Sequence, residues 1–315
     1  MHLGVFAKTF PRPTLEETLD TIVDHGLWHV QFNMCCAGLP TLPERPDEKL
    51  CRWIAQLLRE RGMTMAAISG TFNLCDPDES RLKDNLQRLD GLAVSCRWLD
   101  TRIITLCTGT RDANDMWKWH PENVRRSSWE TLVQSMRQAG QIADRNEVTL
   151  AFEPEMHTIV NSVAKARRLL DEIGSPWLKV VIDPANLIPS GDMSRMSEVF
   201  EEAFDWLGPD IVLAHAKDPI NDVDVGALME VDDRMATGVW TFPTHTLTHA
   251  EVSSMMLNEM TSPPARELFL FYLLYFRWLK RIEFTAPVIM HGLHENRVRK
   301  MQEFLTRQLL RRDPH

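Results

Sequence analysis

Four residues of the kinds that bind metal ions each stand at or just past the end of a short apolar run: Glu153, Asp183, His215 and His291. Apolar runs of this length, rich in Val, Ile and Leu, are typical of buried strands in a parallel sheet. Because parallel α/β barrels build their active sites at the carboxyl ends of their strands, the four side chains are expected to converge. Carboxylate and imidazole ligands suit a borderline divalent ion such as Zn²⁺ or Mn²⁺, so the pattern predicts a metal-dependent site.

The elements that must position these residues follow from the alternation of short apolar runs with longer helical patterns, which indicates repeated βα units. Residues Leu15 to His25, for example, form an amphipathic helical pattern that Gly26 would end. The predicted strands lie near Leu3–Ala7, Trp28–Asn33, Thr64–Ser69, Arg102–Cys107, Val148–Glu153, Leu178–Asp183, Ile211–His215 and Pro287–His291. Eight strands predict a single (β/α)8 TIM barrel over residues 1–315, with a doubly wound open sheet as the weaker alternative.

The last βα unit is longer than the others. The spacing from Glu153 to Asp183, and from Asp183 to His215, is about the length of one βα unit. The spacing from His215 to His291 is much longer. The surplus lies at about residues 239–286 and predicts an enlarged segment between strands 7 and 8, an insertion that forms a lid or buries an apolar face in a subunit contact. Within it, Leu268–Phe276 is predicted to be a buried helix, because it is far shorter than the ~20 apolar residues that span a bilayer.

Composition narrows the class of protein. The 315 residues are 44% hydrophobic and 25% charged, enough for a sizeable core, and the formal net charge is −9. An acidic chain lacks the basic surface that nucleic-acid binding needs. The start of the chain does not resemble a signal peptide, so we expect a cytoplasmic protein with no membrane segment. The six cysteines are expected to be reduced, with a redox-active Cys35–Cys36 pair as the weaker alternative.

Several motifs together resemble the xylose-isomerase-like barrel family, and within it the sugar phosphate isomerase/epimerase group. They are Phe152-Glu153-Pro154-Glu155, Ile182-Asp183-Pro184-Ala185-Asn186-Leu187, His215-Ala216-Lys217-Asp218, Met290-His291-Gly292-Leu293 with Glu295, and Thr108-Gly109-Thr110-Arg111 followed by Met116-Trp117 and Trp119-His120-Pro121. The resemblance covers nearly the whole chain except the region after Val239. It implies a metal-dependent enzyme of carbohydrate metabolism with one divalent ion, held by Glu, Asp, His and Glu at the ends of strands 5 to 8.

Carried onto this sequence, the implied ligands are Glu153, Asp183 and His215, and the fourth position departs from the family. His291 stands where a glutamate is usual, which makes the site softer and favours Zn²⁺. A second departure is Asn186, which stands where metal-richer relatives carry a histidine. Since an amide is a poor ligand for transition metals, a site with several zinc ions is not expected.

A single Lewis acid of this kind predicts isomerase or epimerase chemistry on a sugar, sugar phosphate or related polyol, by way of a metal-stabilised enediolate. Glu153 and His291 are the candidate catalytic residues, with Glu153 as ligand and base. Two alternatives stay open. One is a dehydratase or lyase that acts on a keto-polyol with the same metal site, and the other is a catalytically silent barrel that binds a ligand.

The residues that could contact a carbohydrate substrate lie in loops after the predicted strands. Arg111 could grip a phosphate or carboxylate, and Lys217 could approach the substrate from the strand that carries His215. Simple packing or solvent exposure are the alternatives for all of them. The candidate substrate-binding residues are Arg111, Trp117, His120, His157 and Lys217. A small-molecule carbohydrate is the expected partner, and a homo-oligomer is an open alternative to a monomer.

Overall fold

The structure, a computed structural model, describes residues 1–188, 193–217 and 263–310, with side chains from residue 267 onward in the last range. Half of the segment predicted as enlarged, residues 239–262, therefore lies outside the described residues.

Eight parallel strands close into a barrel in sequence order, β1 to β8. The strands are β1 (Leu3–Phe6), β2 (His29–Phe32), β3 (Thr64–Ser69), β4 (Ile103–Cys107), β5 (Thr149–Glu153), β6 (Leu178–Ile182), β7 (Ile211–Ala216) and β8 (Val288–Met290). The barrel closes between its first and last strands, where Leu3 pairs with Val288 and Val5 with Met290. The predicted TIM barrel is confirmed, with each strand starting or ending within about one residue of its predicted bounds.

In the described part of the chain, eight helices follow the strands: α1 (Leu15–Asp24), α2 (Glu48–Glu60), α3 (Glu79–Leu99), α4 (Arg126–Asn146), α5 (Val163–Ile173), α6 (Met196–Leu207), α7 (Pro263–Arg281) and α8 (Glu295–Leu310). Several begin at a side chain that accepts a hydrogen bond from a free backbone N–H, as Thr14 does from Glu17 and Ser162 does from Lys165. After α1 the chain turns at Gly26, whose φ of +71° is in the left-handed region that glycine favours.

The inner face of the barrel explains how the candidate residues come together. A small apolar cluster consists of Phe6, Ala67, Ala151, Val181, Leu213 and Ile289. Side chains two positions apart on a strand point to the same face. On five of these strands, the residue two positions after the cluster residue therefore also faces the barrel interior. Those residues are Ser69, Glu153, Asp183, His215 and His291. The apolar cluster thus forms one layer of the barrel interior. The candidate metal-binding side chains form the next layer toward the carboxyl ends of the strands.

Helix α7 lies between β7 and β8 in the chain order. The side chains of Leu268–Phe276 are all buried, which confirms the predicted buried helix. Phe200 of α6 packs edge-on against Phe271, with ring centroids 5.3 Å apart. The Tyr275 hydroxyl donates a hydrogen bond of 3.3 Å to the carbonyl of Ile182, at the end of β6. Among the described residues, none of the helices combines the length and apolar character needed to cross a membrane.

Candidate metal centre

The four residues that the sequence singled out meet at the carboxyl end of the barrel. Glu153 ends β5, Asp183 follows β6, His215 is near the end of β7 and His291 follows β8. One ligand atom each from Asp183, His215 and His291 lie within 4.8 Å of one another. Glu153 adjoins this group, since its Oε2 lies 3.3 Å from Nδ1 of His215. Asp183 and His215 are buried, at 0% and 2% exposure, so the cluster is shielded from bulk water.

The two ring nitrogens of His215 have different surroundings. Nε2 lies 2.7 Å from Oε1 of Gln31, which is buried on β2 across the barrel. Nδ1 faces the two carboxylates, 3.3 Å from Glu153 Oε2 and 3.9 Å from Asp183 Oδ2. The ring is therefore held at one nitrogen and presents the other to the cluster.

Two buried imidazole nitrogens in the cluster lack hydrogen-bond partners among the described residues: Nδ1 of His215 and Nδ1 of His291. A buried polar atom without a partner costs free energy, so two of them beside carboxylates need an explanation. The rings also stack, with centroids 4.9 Å apart and planes at 11°. Unpaired nitrogens next to carboxylate oxygens are the donor set of a divalent metal site, so these residues fit a metal ion.

The pKa values of the cluster residues also agree with a site for a cation. Burial, together with the negative charge of Glu153, raises the pKa of Asp183 to about 7. Burial would also raise the pKa of Glu153, but His215, His291 and Lys217 together hold it down at about 2. Burial and the neighbouring His215 lower the pKa of His291 to about 3, so that imidazole is neutral and able to act as a ligand. Burial lowers the pKa of His215, but the adjacent carboxylates of Glu153 and Asp183 outweigh this effect and raise it. Carboxylates that stabilise positive charge at this position would also stabilise a bound cation.

Asn186 hydrogen-bonds both to the carboxylates of the cluster and to Lys217. Its amide nitrogen donates hydrogen bonds to Glu153 Oε1 and, at 3.4 Å, to Asp183 Oδ2. Its amide oxygen accepts a hydrogen bond of 2.7 Å from Nζ of Lys217. An amide that donates to both carboxylates orients them.

A cavity of about 510 Å³ opens above the cluster. Its volume is sufficient for a small carbohydrate. Three of the predicted substrate-binding residues line it, namely Trp117, His157 and Lys217. Among the described residues, its lining also includes Lys8, Gln31, Ser69, Thr105, Glu155 and Asn186, together with Glu153, His215 and His291.

The other two predicted substrate-binding residues are not among the residues that line the cavity. The Arg111 guanidinium donates a hydrogen bond of 3.0 Å to the carbonyl of Cys75. The His120 ring accepts a hydrogen bond of 3.2 Å from the backbone N–H of Glu122 and so starts a short helix. In this conformation both side chains stabilise the loop after β4.

Sequence reasoning missed a polar group on the first half of the barrel. Gln31, Ser69 and Thr105 are buried on β2, β3 and β4, and the Gln31 amide donates hydrogen bonds to both hydroxyls. A signal was present, since each is a polar residue inside an otherwise apolar strand pattern, and such residues point either to solvent or to a buried polar site.

A closed parallel barrel with a cluster of metal-binding side chains at its carboxyl end defines a class of TIM-barrel proteins. The chain belongs to the family described as xylose isomerase-like TIM barrel, whose model matches residues 19–269. A comparison with curated protein sequences finds no match.

Solved structures with the same fold include several enzymes. The 3-keto-D-glucoside 4-epimerase YcjR from E. coli is 14% identical over 98% of both chains, with a TM-score of 0.61. The IolI protein, solved with a zinc atom, is 15% identical over 98% of this chain and 95% of its own, with a TM-score of 0.58. The probable 3-DHS dehydratase AsbF from Bacillus anthracis is 13% identical over 99% and 100%, with a TM-score of 0.61. At these identities the likeness establishes the shared fold.

Proposed function

We propose that this protein is a divalent-metal-dependent isomerase or epimerase of a sugar, sugar phosphate or related polyol. The observation that carries the proposal is the pair of unpartnered, buried imidazole nitrogens of His215 and His291, in a cluster where the His215 nitrogen faces the carboxylates of Glu153 and Asp183. Membership of the xylose isomerase-like family supports it, as do structural neighbours that include an epimerase and a zinc-containing protein.

The proposed ligands are Glu153, Asp183, His215 and His291, and zinc or manganese is the proposed ion. When bound, the ion supplies Lewis-acid stabilisation of negative charge on two neighbouring substrate oxygens. Such a site has one negative charge fewer than one made by three carboxylates and a histidine. This composition favours zinc over harder ions such as magnesium.

Glu153 is the proposed base that removes a carbon-bound proton of the substrate. The low pKa that His215, His291 and Lys217 impose on it keeps the carboxylate ionised at neutral pH. Asn186 fixes one carboxylate oxygen by its hydrogen bond, which holds the base in one orientation. His291 is proposed as the second catalytic group, a neutral imidazole that can exchange a proton when it is not held by a metal.

The cavity walls indicate how a polyol would be held. Lys217 and Lys8 place two ammonium groups beside the cluster, where they can donate hydrogen bonds to hydroxyl, carboxylate or phosphate oxygens. His157 and Trp117 line the outer part, and Trp117 is half exposed, as a ring that stacks on a sugar must be before binding. Arg111 and His120 remain proposed substrate contacts that would require the loop after β4 to rearrange.

A dehydratase or lyase acting on a keto-polyol is the second candidate. The replacement of the usual fourth glutamate by His291 favours it, because a two-base epimerisation between two glutamates is not available here. The shared fold with a probable dehydratase is consistent with it. Removing a carbon-bound proton next to a carbonyl is common to both reactions, and they differ in whether a hydroxyl then leaves.

The first test is metal content, measured by elemental analysis on protein purified without added metal. We expect about one equivalent of zinc or manganese in the wild type and a marked loss in Asp183→Asn, His215→Asn and His291→Ala. The matched control is Asp112→Asn, a carboxylate that caps a loop on the surface. A wild type that retains no metal and takes none up would contradict the proposal and favour a silent ligand-binding barrel.

The second test is the reaction. Wild-type protein with zinc or manganese is incubated with ketoses, aldoses, their phosphates and keto-polyols in D₂O, and products are read by NMR. Deuterium incorporated next to the carbonyl, with a new sugar isomer, supports isomerase or epimerase activity. Loss of water from the substrate would favour the dehydratase instead.

A further inference from the structure

Gln31 makes the hydrogen bond that decides which nitrogen of His215 is free. It is 3% exposed on β2, and its Oε1 lies 2.7 Å from Nε2 of His215 on β7. This hydrogen bond joins β2 to β7 across the interior of the barrel. An amide oxygen can only accept, so Nε2 must carry the proton.

The Gln31 side chain is also held by two hydroxyls. Its Nε2 donates to Ser69 Oγ at 3.3 Å and to Thr105 Oγ1 at 3.2 Å. Both hydroxyls are buried on neighbouring strands, Ser69 at the end of β3 and Thr105 within β4. With the amide oxygen toward His215, both amide hydrogens have hydroxyl acceptors. Turning the amide around would place an N–H group against His215.

The consequence for the metal site is direct. With the amide reversed, Nε2 of His215 would have to accept a hydrogen bond, and the proton would move to Nδ1. That proton would point at Glu153 Oε2, 3.3 Å away, and the nitrogen could no longer bind a metal. The observed arrangement leaves the lone pair of Nδ1 facing the carboxylates.

We propose that Gln31 is a positioning residue that keeps the proton of His215 on Nε2 and thereby makes Nδ1 the ligand atom. Ser69 and Thr105 hold the Gln31 side chain in place against His215. The inference deepens the proposed function, on which its metal-binding part rests. Groups that hydrogen-bond to the far nitrogen of a ligand histidine commonly change metal affinity by about 10- to 100-fold when removed.

The test compares Gln31→Leu, which removes the acceptor, with Gln31→Glu, which keeps one in nearly the same shape. Zinc affinity is measured by competition with a chromogenic chelator. We expect binding about 10- to 100-fold weaker in Gln31→Leu and close to the wild type in Gln31→Glu. Gln56→Leu makes the same substitution on the exposed face of α2 and should leave zinc affinity unchanged.

A spectroscopic measurement separates positioning from a general loss of structure. Long-range ¹H–¹⁵N correlation spectra of ¹⁵N-histidine-labelled protein show which ring nitrogen of His215 carries the proton, with the signal assigned from His215→Asn. We expect the proton on Nε2 in the wild type and in Gln31→Glu, both without metal at pH 9 and with zinc. In Gln31→Leu both proton positions should appear in the metal-free protein.

A second variant keeps the test decisive where Gln31→Leu fails to fold by circular dichroism. The double variant Ser69→Ala/Thr105→Val leaves Gln31 in place but removes both hydroxyl partners of its amide, so zinc affinity should fall about 10-fold. The proposal is overturned by a wild-type proton on Nδ1, or by a folded Gln31→Leu or Ser69→Ala/Thr105→Val protein that keeps wild-type zinc affinity. Zinc binding with this proton pattern but without turnover of any sugar would refute the proposed function and leave the role of Gln31 standing.

Discussion

The His291 imidazole lies between two other rings. It stacks on His215 on one side and on Phe6 on the other, where the ring centroids are 5.4 Å apart at 25°. Burial and the neighbouring His215 lower the pKa of His291 to about 3, so His291 is a neutral nitrogen donor beside the two carboxylates and the imidazole of His215. A donor set of this composition is softer than one with three carboxylates.

Replacing His291 with glutamate should change which metal the site prefers. In His291→Glu the added carboxylate makes the donor set harder, so the ratio of manganese to zinc affinity should rise by about tenfold or more. His291→Gln, which is similar in size to glutamate but uncharged, is the matched control and should weaken both metals. Competition titrations with both ions measure the ratio. An unchanged ratio in His291→Glu would argue that this position does not contact the metal.

The role of Glu153 as base predicts a loss of rate that exceeds any loss of metal. Glu153→Gln, assayed at saturating zinc or manganese, should lower kcat by about 10²- to 10⁴-fold, the usual contribution of a positioned acid or base. Solvent deuterium incorporation should fall in parallel. Glu122→Gln, at a surface carboxylate paired with Arg125, should leave kcat unchanged. A metal-loaded Glu153→Gln protein with wild-type kcat would assign the base elsewhere.

At the scale of the elements, the loop after β4 depends on one glycine. Gly109 has φ +73°, and a methyl group there would overlap the side-chain amide of Asn73. That amide accepts hydrogen bonds from the backbone N–H groups of Cys75 at 3.1 Å and Thr110 at 3.0 Å, and donates one of 2.9 Å to the carbonyl of Thr110. Asn73 therefore joins the loops after β3 and β4, which form one side of the cavity mouth.

Two glycine substitutions separate backbone strain from steric overlap. Gly62→Ala, at φ +66° with no atom within 4 Å of the added methyl group, should cost about 1 kcal/mol of unfolding free energy. Gly109→Ala should cost about 3 kcal/mol or more, because the Asn73 hydrogen bonds are lost as well. Urea denaturation of the two variants measures the difference. Equal costs would show that Asn73 adapts to the methyl group without losing its hydrogen bonds.

The sequence predicted the strands and the convergence of Glu153, Asp183, His215 and His291, because apolar runs with a ligand at the end are local signals. The network of Gln31 could not be predicted in the same way. Its hydrogen bond to His215 joins β2 to β7, and single-sequence patterns carry no information on which strands face each other across a barrel. The same limit applies to Arg111, whose contact with Cys75 depends on how two loops pack.

At the scale of the whole molecule, the cysteines are part of the packing. All six are free thiols, and five are buried or half-buried. Burial raises the pKa of Cys36 and of Cys96 to about 12, and that of Cys75 to about 11. The predicted reduced thiols are consistent with this arrangement, in which the buried groups are neutral at physiological pH.

These thiols should make the fold less stable in alkali. The pKa of Cys96 is about 12 in the folded protein against 9.0 ordinarily, so above pH 9 only the unfolded chain loses this proton and stability falls. Between pH 8 and pH 10 this one thiol should account for about 1.4 kcal/mol. Cys96→Ala should reduce the loss of unfolding free energy over that interval by this amount, measured by urea denaturation at both pH values. The same pH dependence in both proteins would contradict the assignment.

The pairing of β1 with β8 also sets an order of events during synthesis. Strand β1 pairs with β8 through Val5 and Met290. It therefore gains this second neighbour only after β2 to β8 have been synthesised. Gln31 and His291, at opposite ends of the chain, both contact His215, one by a hydrogen bond and the other by ring stacking. A nascent chain that ends before β8 therefore has seven of the eight strands but lacks His291, and it should fill the proposed metal site only after His291 has been made.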